Sequence, residues 1–85
     1  YKLYQNFPNP FNPGTRIIYS VPKTSRIILK LFDITGKQVE LLIDEEKQVG
    51  NYSLNIDMGQ MNSGIYFLRM ISGDYVSMRK IILLK

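Results

Sequence analysis

The sequence predicts an all-β protein, an immunoglobulin-like antiparallel β-sandwich of about seven strands. Turn-forming residues recur about every ten residues, a spacing typical of sandwiches and barrels. The segments between them alternate apolar and polar residues with the period of two that half-buried strands show. No stretch keeps the 3.6-residue apolar period of a helix over three turns without a Gly or Pro. The 85 residues are enough for a single domain with one modest core.

The first element is a proline-rich segment, residues 3–14, which we call the strap. Its three prolines fix φ, remove backbone donors and keep the preceding residues out of the α region. We therefore expect a stiff, irregular strap leading into the first long strand. Its expected anchors on the sandwich are three aromatic side chains, Tyr4, Phe7 and Phe11.

Two alternating segments, residues 15–21 and 26–32, are predicted as the next strands. Their inward side chains are expected to be Ile17, Tyr19, Val21, Ile27, Leu29 and Leu31. A hairpin turn should follow, because Asp33 can accept a hydrogen bond from the backbone two residues on and Gly36 supplies a positive φ. Residues 37–43 are predicted as the return strand, and the charged residues 44–50 as a solvated connection.

The second half contains the clearest alternation, in which Tyr52, Leu54 and Ile56 share one face. Residues 58–64 are predicted as a loop that crosses to the other sheet, with Met61 closing the core edge. Residues 65–71 and 75–84 are the last strands, joined by a turn at residues 72–74, with Tyr66, Leu68 and Met70 inward and Arg69 outward. Tyr66 has the spacing of a tyrosine corner, and the loss of alternation near Lys80 indicates a β-bulge.

Composition argues against an enzyme. The chain has no Cys and no His, so it lacks the thiolate and imidazole groups that serve most often as nucleophile, general base and metal ligand. We predict no catalytic residue, no cofactor and no metal. Residues 44–46 are acidic, but they lack the spacing of calcium-binding loops and are better interpreted as a solvated loop.

Other classes of binding protein are also disfavoured. The net charge of +4 is not gathered into the basic stripe with interleaved aromatics that nucleic-acid binding requires. The longest apolar run, residues 81–84, is far shorter than the roughly 20 residues of a membrane span. A carbohydrate-binding surface would have to use aromatic residues outside the core, and the candidates are Tyr4, Phe7, Phe11 and Tyr75.

The C-terminal run, residues 79–85, allows two interpretations. It is an edge strand that Lys80 and Lys85 protect against aggregation, or a strand that a partner reads by backbone pairing and charge. An exposed edge would also allow a weak edge-strand dimer. Because the chain starts at Tyr1 without a signal-peptide pattern, we expect it to be part of a longer protein.

Four blocks of the sequence resemble the type A C-terminal sorting domains of the type IX secretion system. They are the proline-rich opening at residues 3–13, the middle block at residues 29–39, the glycine–tyrosine block at residues 63–69 and the basic-apolar ending at residues 79–85. They occur in the family's order and cover essentially the whole chain. A neighbouring family of bacterial immunoglobulin-like modules, including one in a flagellar hook-capping protein, shares the middle blocks.

The resemblance implies a single non-catalytic domain over residues 1–85, at the end of a larger secreted protein. Such a domain carries an N-terminal cargo through the periplasm to an outer-membrane translocon. A surface sorting peptidase then typically removes it, and the cargo is released or attached to the cell surface. The positions matched to the family's motifs are Pro8, Asn9, Pro10, Gly64, Tyr66, Arg69, Lys80 and Lys85. Gly64 and Tyr66 are expected to serve the fold, and Lys80 and Lys85 recognition.

Two alternatives belong to other classes. One is a structural or adhesive immunoglobulin-like module that stays in the mature protein, and the other is a carbohydrate-binding module. The mass of the mature secreted protein separates the first from a sorting tag. Retention on a glycan affinity gel, with loss on Tyr75→Ala or Phe11→Ala, would identify the second.

Overall fold

A computed structural model describes the whole chain, Tyr1–Lys85, and confirms the predicted β-sandwich. Its seven strands are β1 (Lys2–Leu3), β2 (Gly14–Val21), β3 (Ser25–Asp33), β4 (Gln38–Lys47), β5 (Gly50–Asp57), β6 (Gly64–Ser72) and β7 (Tyr75–Leu83). They form a three-stranded sheet of order β1-β2-β5 and a four-stranded sheet of order β4-β3-β6-β7. All paired strands are antiparallel. No helix is long and apolar enough to cross a membrane.

The strand order places β4 beside β3. In constant-type immunoglobulin domains the fourth strand instead joins the sheet of the first, second and fifth strands. The connection between β3 and β4 is a tight hairpin, and hairpin-connected strands pair with each other most readily. The β3–β4 hairpin therefore decides to which sheet β4 belongs.

The core lies between the two sheets and is built from the alternate side chains of their strands. The fifteen buried apolar residues are Leu3, Phe11, Ile17, Tyr19, Val21, Ile27, Leu29, Leu31, Ile56, Met58, Tyr66, Leu68, Met70, Ile81 and Leu83. The inward faces predicted for β2, β3 and β6 are confirmed. Below the loop before β6, the edge of the core is filled by Met58, which is 1% exposed. Met61, which was expected there, packs against the core but is only partly buried.

Two predictions about the strands are wrong. Residues 44–47 belong to β4 and do not form a solvated connection, because they pair with residues 25–28 of β3. Arg26 also forms a salt bridge with Asp44, with an N–O distance of 2.7 Å. The β6–β7 register runs without a break, so there is no bulge at Lys80. The irregularities lie between β3 and β4, after Leu29 and after Leu31. Extra residues there keep both Leu42 and Ile43 against the core.

The antiparallel registers give the sandwich two distinct ends. The proximal end holds Tyr1, whose ring stacks on Tyr75 at 5.1 Å and whose hydroxyl lies 2.6 Å from Ser25 Oγ. The distal end holds the last part of the strap (residues 8–14), the β3–β4 turn, the loop from Met58 to Ser63, and Lys85. Nine residues of β7 separate the two ends, about 30 Å at 3.3 Å per residue.

Candidate recognition site

The strap lies along the outer edge of β7. The main chain of Phe11 donates to Ile82 O and accepts from Leu84 N, both at 3.0 Å, as in a short parallel strand. The Asn9 carboxamide oxygen accepts from Ile82 N at 2.9 Å, and the Gln5 carboxamide donates to Lys80 O at 2.8 Å. The edge of β7 is therefore occupied from Lys80 to Leu84 and not available there to a partner strand.

The same strap also pairs with β2, the strand at the opposite sheet. Tyr4 N donates to Ile18 O at 3.0 Å, and Phe7 and Arg16 exchange two main-chain hydrogen bonds of 3.1 and 2.9 Å. Arg79 Nε donates to Leu3 O at 2.9 Å. The strap thus closes the gap between the two sheets on this side of the sandwich.

The predicted anchors of the strap are correct only in part. Phe11 is 3% exposed and belongs to the core, but Tyr4 is 37% and Phe7 79% exposed. The other inward positions are Leu3 and Asn6. Main-chain pairing with β2 sets this outcome, because it turns Phe7 to solvent when Asn6 points inward.

Asn6 is a structural residue that the sequence analysis missed. It is 3% exposed, and its Nδ2 donates to Thr15 Oγ1 at 3.1 Å and to Pro8 O at 3.2 Å. Thr15 Oγ1 donates to the same Pro8 carbonyl at 2.8 Å. Burial of these polar groups is tolerated because each has a partner. An amide residue directly before an aromatic–proline pair was the available signal.

The matched positions of the strap lie where it is fastened to β7. We call the hydrogen bond between Asn9 and Ile82 N the latch. Asn9 is half-buried and holds Ile82 N, whereas Pro8 and Pro10 are exposed. The carbonyl of Pro8 accepts the two hydrogen bonds of the Asn6 cluster. Pro10 is left with an exposed ring beside the latch.

Gly64 and Tyr66 shape the loop that enters β6. Gly64 has φ of +155°, a conformation that L side chains rarely adopt. The Tyr66 hydroxyl donates to Asn62 O at 2.6 Å, which confirms the tyrosine corner. A second tyrosine, Tyr52, makes the same contact four residues back, to Gln48 O at 2.7 Å. In both cases the sequence signal for this contact is a Tyr two residues after the Gly that begins the strand.

The basic matched positions have three different surroundings. Lys85 is tied to the loop before β6, since its Nζ donates to Gly59 O at 2.7 Å and to Met61 O at 3.1 Å. Lys80 is exposed, and its side chain makes no hydrogen bond or salt bridge. Arg69 lies in the middle of β6, on the same side of the four-stranded sheet as Lys80 and opposite Met78.

The β3–β4 turn has the predicted geometry. Asp33 Oδ1 accepts from Thr35 Oγ1 at 2.6 Å, Thr35 N at 2.9 Å and Lys37 N at 3.1 Å. Gly36 has φ of +88°. The hydrogen bond from the Thr35 hydroxyl is the main reason why the pKa of the Asp33 carboxyl lies below its ordinary value, with help from the turn amides.

All four sequence blocks therefore contribute to one place. The opening block, the middle block's turn, the glycine–tyrosine block and the last residues meet at the distal end. No group of three or more acidic side chains there or elsewhere could hold a metal ion. The surface at this end consists of exposed proline rings and of loops held by hydrogen bonds on a small β-sandwich.

Comparison with known families identifies the family. The chain belongs to the secretion system C-terminal sorting domains, whose profile matches residues 5–84. This domain is a secretion signal of the type IX system, non-catalytic, and it directs secretion across the outer membrane to the cell surface or outside. It interacts with the secretion machinery. No curated protein matches the chain.

Proposed function

We propose that the type IX translocon recognises this sorting domain through the distal end of the sandwich. The observation that carries the proposal is the convergence of the four family blocks at that end. Core packing alone would distribute such blocks over the whole fold. Here the strap latch, the β3–β4 turn and the Lys85 contacts fix one surface from both ends of the chain.

The position of Tyr1 supports this assignment. We propose that residues 1–85 form one domain at the end of a larger secreted protein, whose cargo precedes Tyr1. The cargo would then emerge at the proximal end, beside Tyr75 and Ser25. The distal end, about 30 Å away along β7, stays accessible whatever the cargo is.

The matched residues would have different roles in this function. Asn9, Gly64, Tyr66 and Lys85 hold the distal end in shape through the contacts described above. Pro8 and Pro10 present exposed groups at this end, and Lys80 presents one on the solvent side of the four-stranded sheet, opposite Phe67. A surface peptidase would later remove the domain, so the mature cargo should be lighter by the 9.9 kDa of this chain. The weak edge-strand dimer stays a prediction, for which the edges of β4, β5 and the first half of β7 are available.

The test is export of a reporter fused before Tyr1 in a bacterium with a type IX system. Pro10→Glu and Lys37→Glu change exposed groups of the strap and of the β3–β4 turn at the distal end, so each variant should fold normally and lower the secreted reporter about tenfold, as for a loss of about 1.4 kcal/mol in binding. Pro22→Glu and Lys23→Glu are matched controls at exposed positions of the proximal end. Equal export of distal and proximal variants would refute the proposal. Deleting residues 79–85 is a poorer test, because it removes the core residues Ile81 and Leu83.

A further inference from the structure

The outer face of the four-stranded sheet is apolar, although nothing in the fold covers it. We define this outer face by the side chains that alternate with the core residues of β3, β6 and β7. Its apolar members are Ile28, Phe32, Ile65, Phe67, Ile71, Val76, Met78 and Ile82. Antiparallel sheets with one solvated face normally carry polar residues there. A contiguous apolar surface on a soluble domain marks an interaction site.

The strand register makes this surface continuous. Ile28, Ile71 and Val76 stand side by side across the three strands, and Phe32 lies directly opposite Phe67. Val76 and Met78 are each 50% exposed. Neither the strap nor the loop from Met58 to Ser63 covers the row formed by Ile28, Ile71 and Val76.

Two cations lie opposite each other at the centre of the outer face, and Lys80 is a third cation on this face, opposite Phe67. Lys30 and Arg69 are directly opposite each other on β3 and β6. Like charges in that position destabilise a sheet. Arg69 Nε is also buried without a hydrogen-bond partner, and the guanidinium carbon stands 5.9 Å from the Phe32 ring centre. A stabilising role within the domain therefore does not explain why an arginine occupies position 69.

No acidic side chain of the chain compensates this pair. The two salt bridges are Arg26 with Asp44 and Lys47 with Glu45. Asp33 borders a depression of about 240 Å³ between Phe32, Phe67, Arg69 and Met78. Its Oδ1 is taken by the turn.

We propose that the outer face binds a protein of the secretion machinery that places one Asp or Glu carboxylate between Lys30 and Arg69 and covers the apolar side chains around them. A carboxylate can accept two parallel hydrogen bonds from a guanidinium, which strengthens and orients the contact. Within an apolar interface such a charged pair is shielded from water. The proposal rests on membership of the sorting-domain family and adds a second contact surface to the distal end.

A second copy of the chain fits this face less well. A symmetric dimer would use the same patch on both subunits, so the cation pairs would approach each other. The net charge of +4 adds to that repulsion. Charge complementarity thus favours an acidic partner.

The first experiment compares Arg69→Met with Arg26→Met in the reporter fusion and in the 85-residue chain. Arg69→Met keeps the apolar stem and removes the charge, so the melting temperature should stay equal or rise while export falls at least tenfold. Arg26→Met removes a guanidinium from the same face, near the proximal end, and should leave export unchanged. Unchanged export of Arg69→Met, or a fall in melting temperature that matches its loss of export, would overturn the proposal.

The second experiment identifies the partner. A photo-crosslinking phenylalanine derivative at Met78, used in exporting cells, should join the domain to a secretion component at a segment that contains an Asp or Glu among apolar residues. Arg69→Glu should then abolish export, and replacing that acidic residue with Lys should restore it. A crosslink to a second copy of the domain, to the cargo, or to nothing would overturn the proposal. Pro10 lies outside the outer face, so failure of Pro10→Glu to affect export bears only on the distal end.

Discussion

The latch between Asn9 and β7 makes a quantitative prediction about stability. Asn9→Ala removes the acceptor of Ile82 N, a hydrogen bond of 2.9 Å in a half-buried position. A donor left without a partner costs about 1–3 kcal/mol when fully buried, so about 1–2 kcal/mol is expected here. At 4–8 °C per kcal/mol for a domain of this size, the melting temperature should fall by about 4–16 °C.

The assay is urea and thermal unfolding of the 85-residue chain at pH 7. Its total stability is expected to be about 4–13 kcal/mol from typical values per residue, so the Asn9→Ala variant should still fold. Amide hydrogen exchange should show faster exchange at Ile82 than in the native chain.

Asn12→Ala is the matched control. Asn12 also precedes a proline in the strap, but it is exposed and its side chain makes no hydrogen bond. Its replacement should change the free energy of unfolding by less than about 0.5 kcal/mol. Equal losses in the two variants, or no loss in Asn9→Ala, would refute the latch as a source of stability.

Three further predictions concern single side chains. Phe11→Ala should cost about 3–5 kcal/mol in urea unfolding because the ring is buried, whereas Phe7→Ala should cost less than about 0.5 kcal/mol; similar values for both would contradict the assigned burial. Tyr66→Phe should lose about 0.5–1.5 kcal/mol through the missing hydrogen bond to Asn62 O, and an unchanged midpoint would show that this bond contributes nothing. The Asp33 carboxyl should titrate below its ordinary pKa in an NMR pH series. Since the pKa of Asp33 is lowered in the folded state, its stabilising contribution is complete above about pH 3.9 and is lost as the pH falls. Asp33→Asn should therefore weaken the dependence of the unfolding free energy on pH in the acid range. An unaltered dependence would argue against stabilisation by the Asp33 carboxylate in this turn.

The sandwich could be predicted from the sequence because its signals are local. Alternation in β2, β3 and β6 follows from the two-residue period of a strand, and the predicted inward side chains lie in the core. Asp33 and Gly36 indicate the hairpin by turn chemistry. Tyr66 follows the spacing of a tyrosine corner.

The parts that could not be predicted depend on distant partners. Residues 44–47 look like a solvated loop until β3 supplies the neighbouring strand and Arg26 the counter-ion. Phe7, expected as an anchor, points to solvent and Asn6 points inward, because pairing with β2 determines which residues of the strap face the core. The distal end combines the strap, which lies near the N-terminus, with the last residues of the chain. No pattern within a single block shows that these segments come together.

The strap also couples folding to the completeness of the chain. Three side-chain hydrogen bonds between this segment and β7 join residues 73–76 positions apart: Gln5 with Lys80, Asn9 with Ile82, and Leu3 with Arg79. Contacts of such long range form late, since a large loop must close before they contribute. A chain shortened before Arg79 keeps only the strap's pairing with β2 and loses its contacts with β7, so the distal surface is incomplete. If the distal surface is what the translocon recognises, only a chain that has folded with both its strap and its last strand can present it, and an incomplete copy would not be exported.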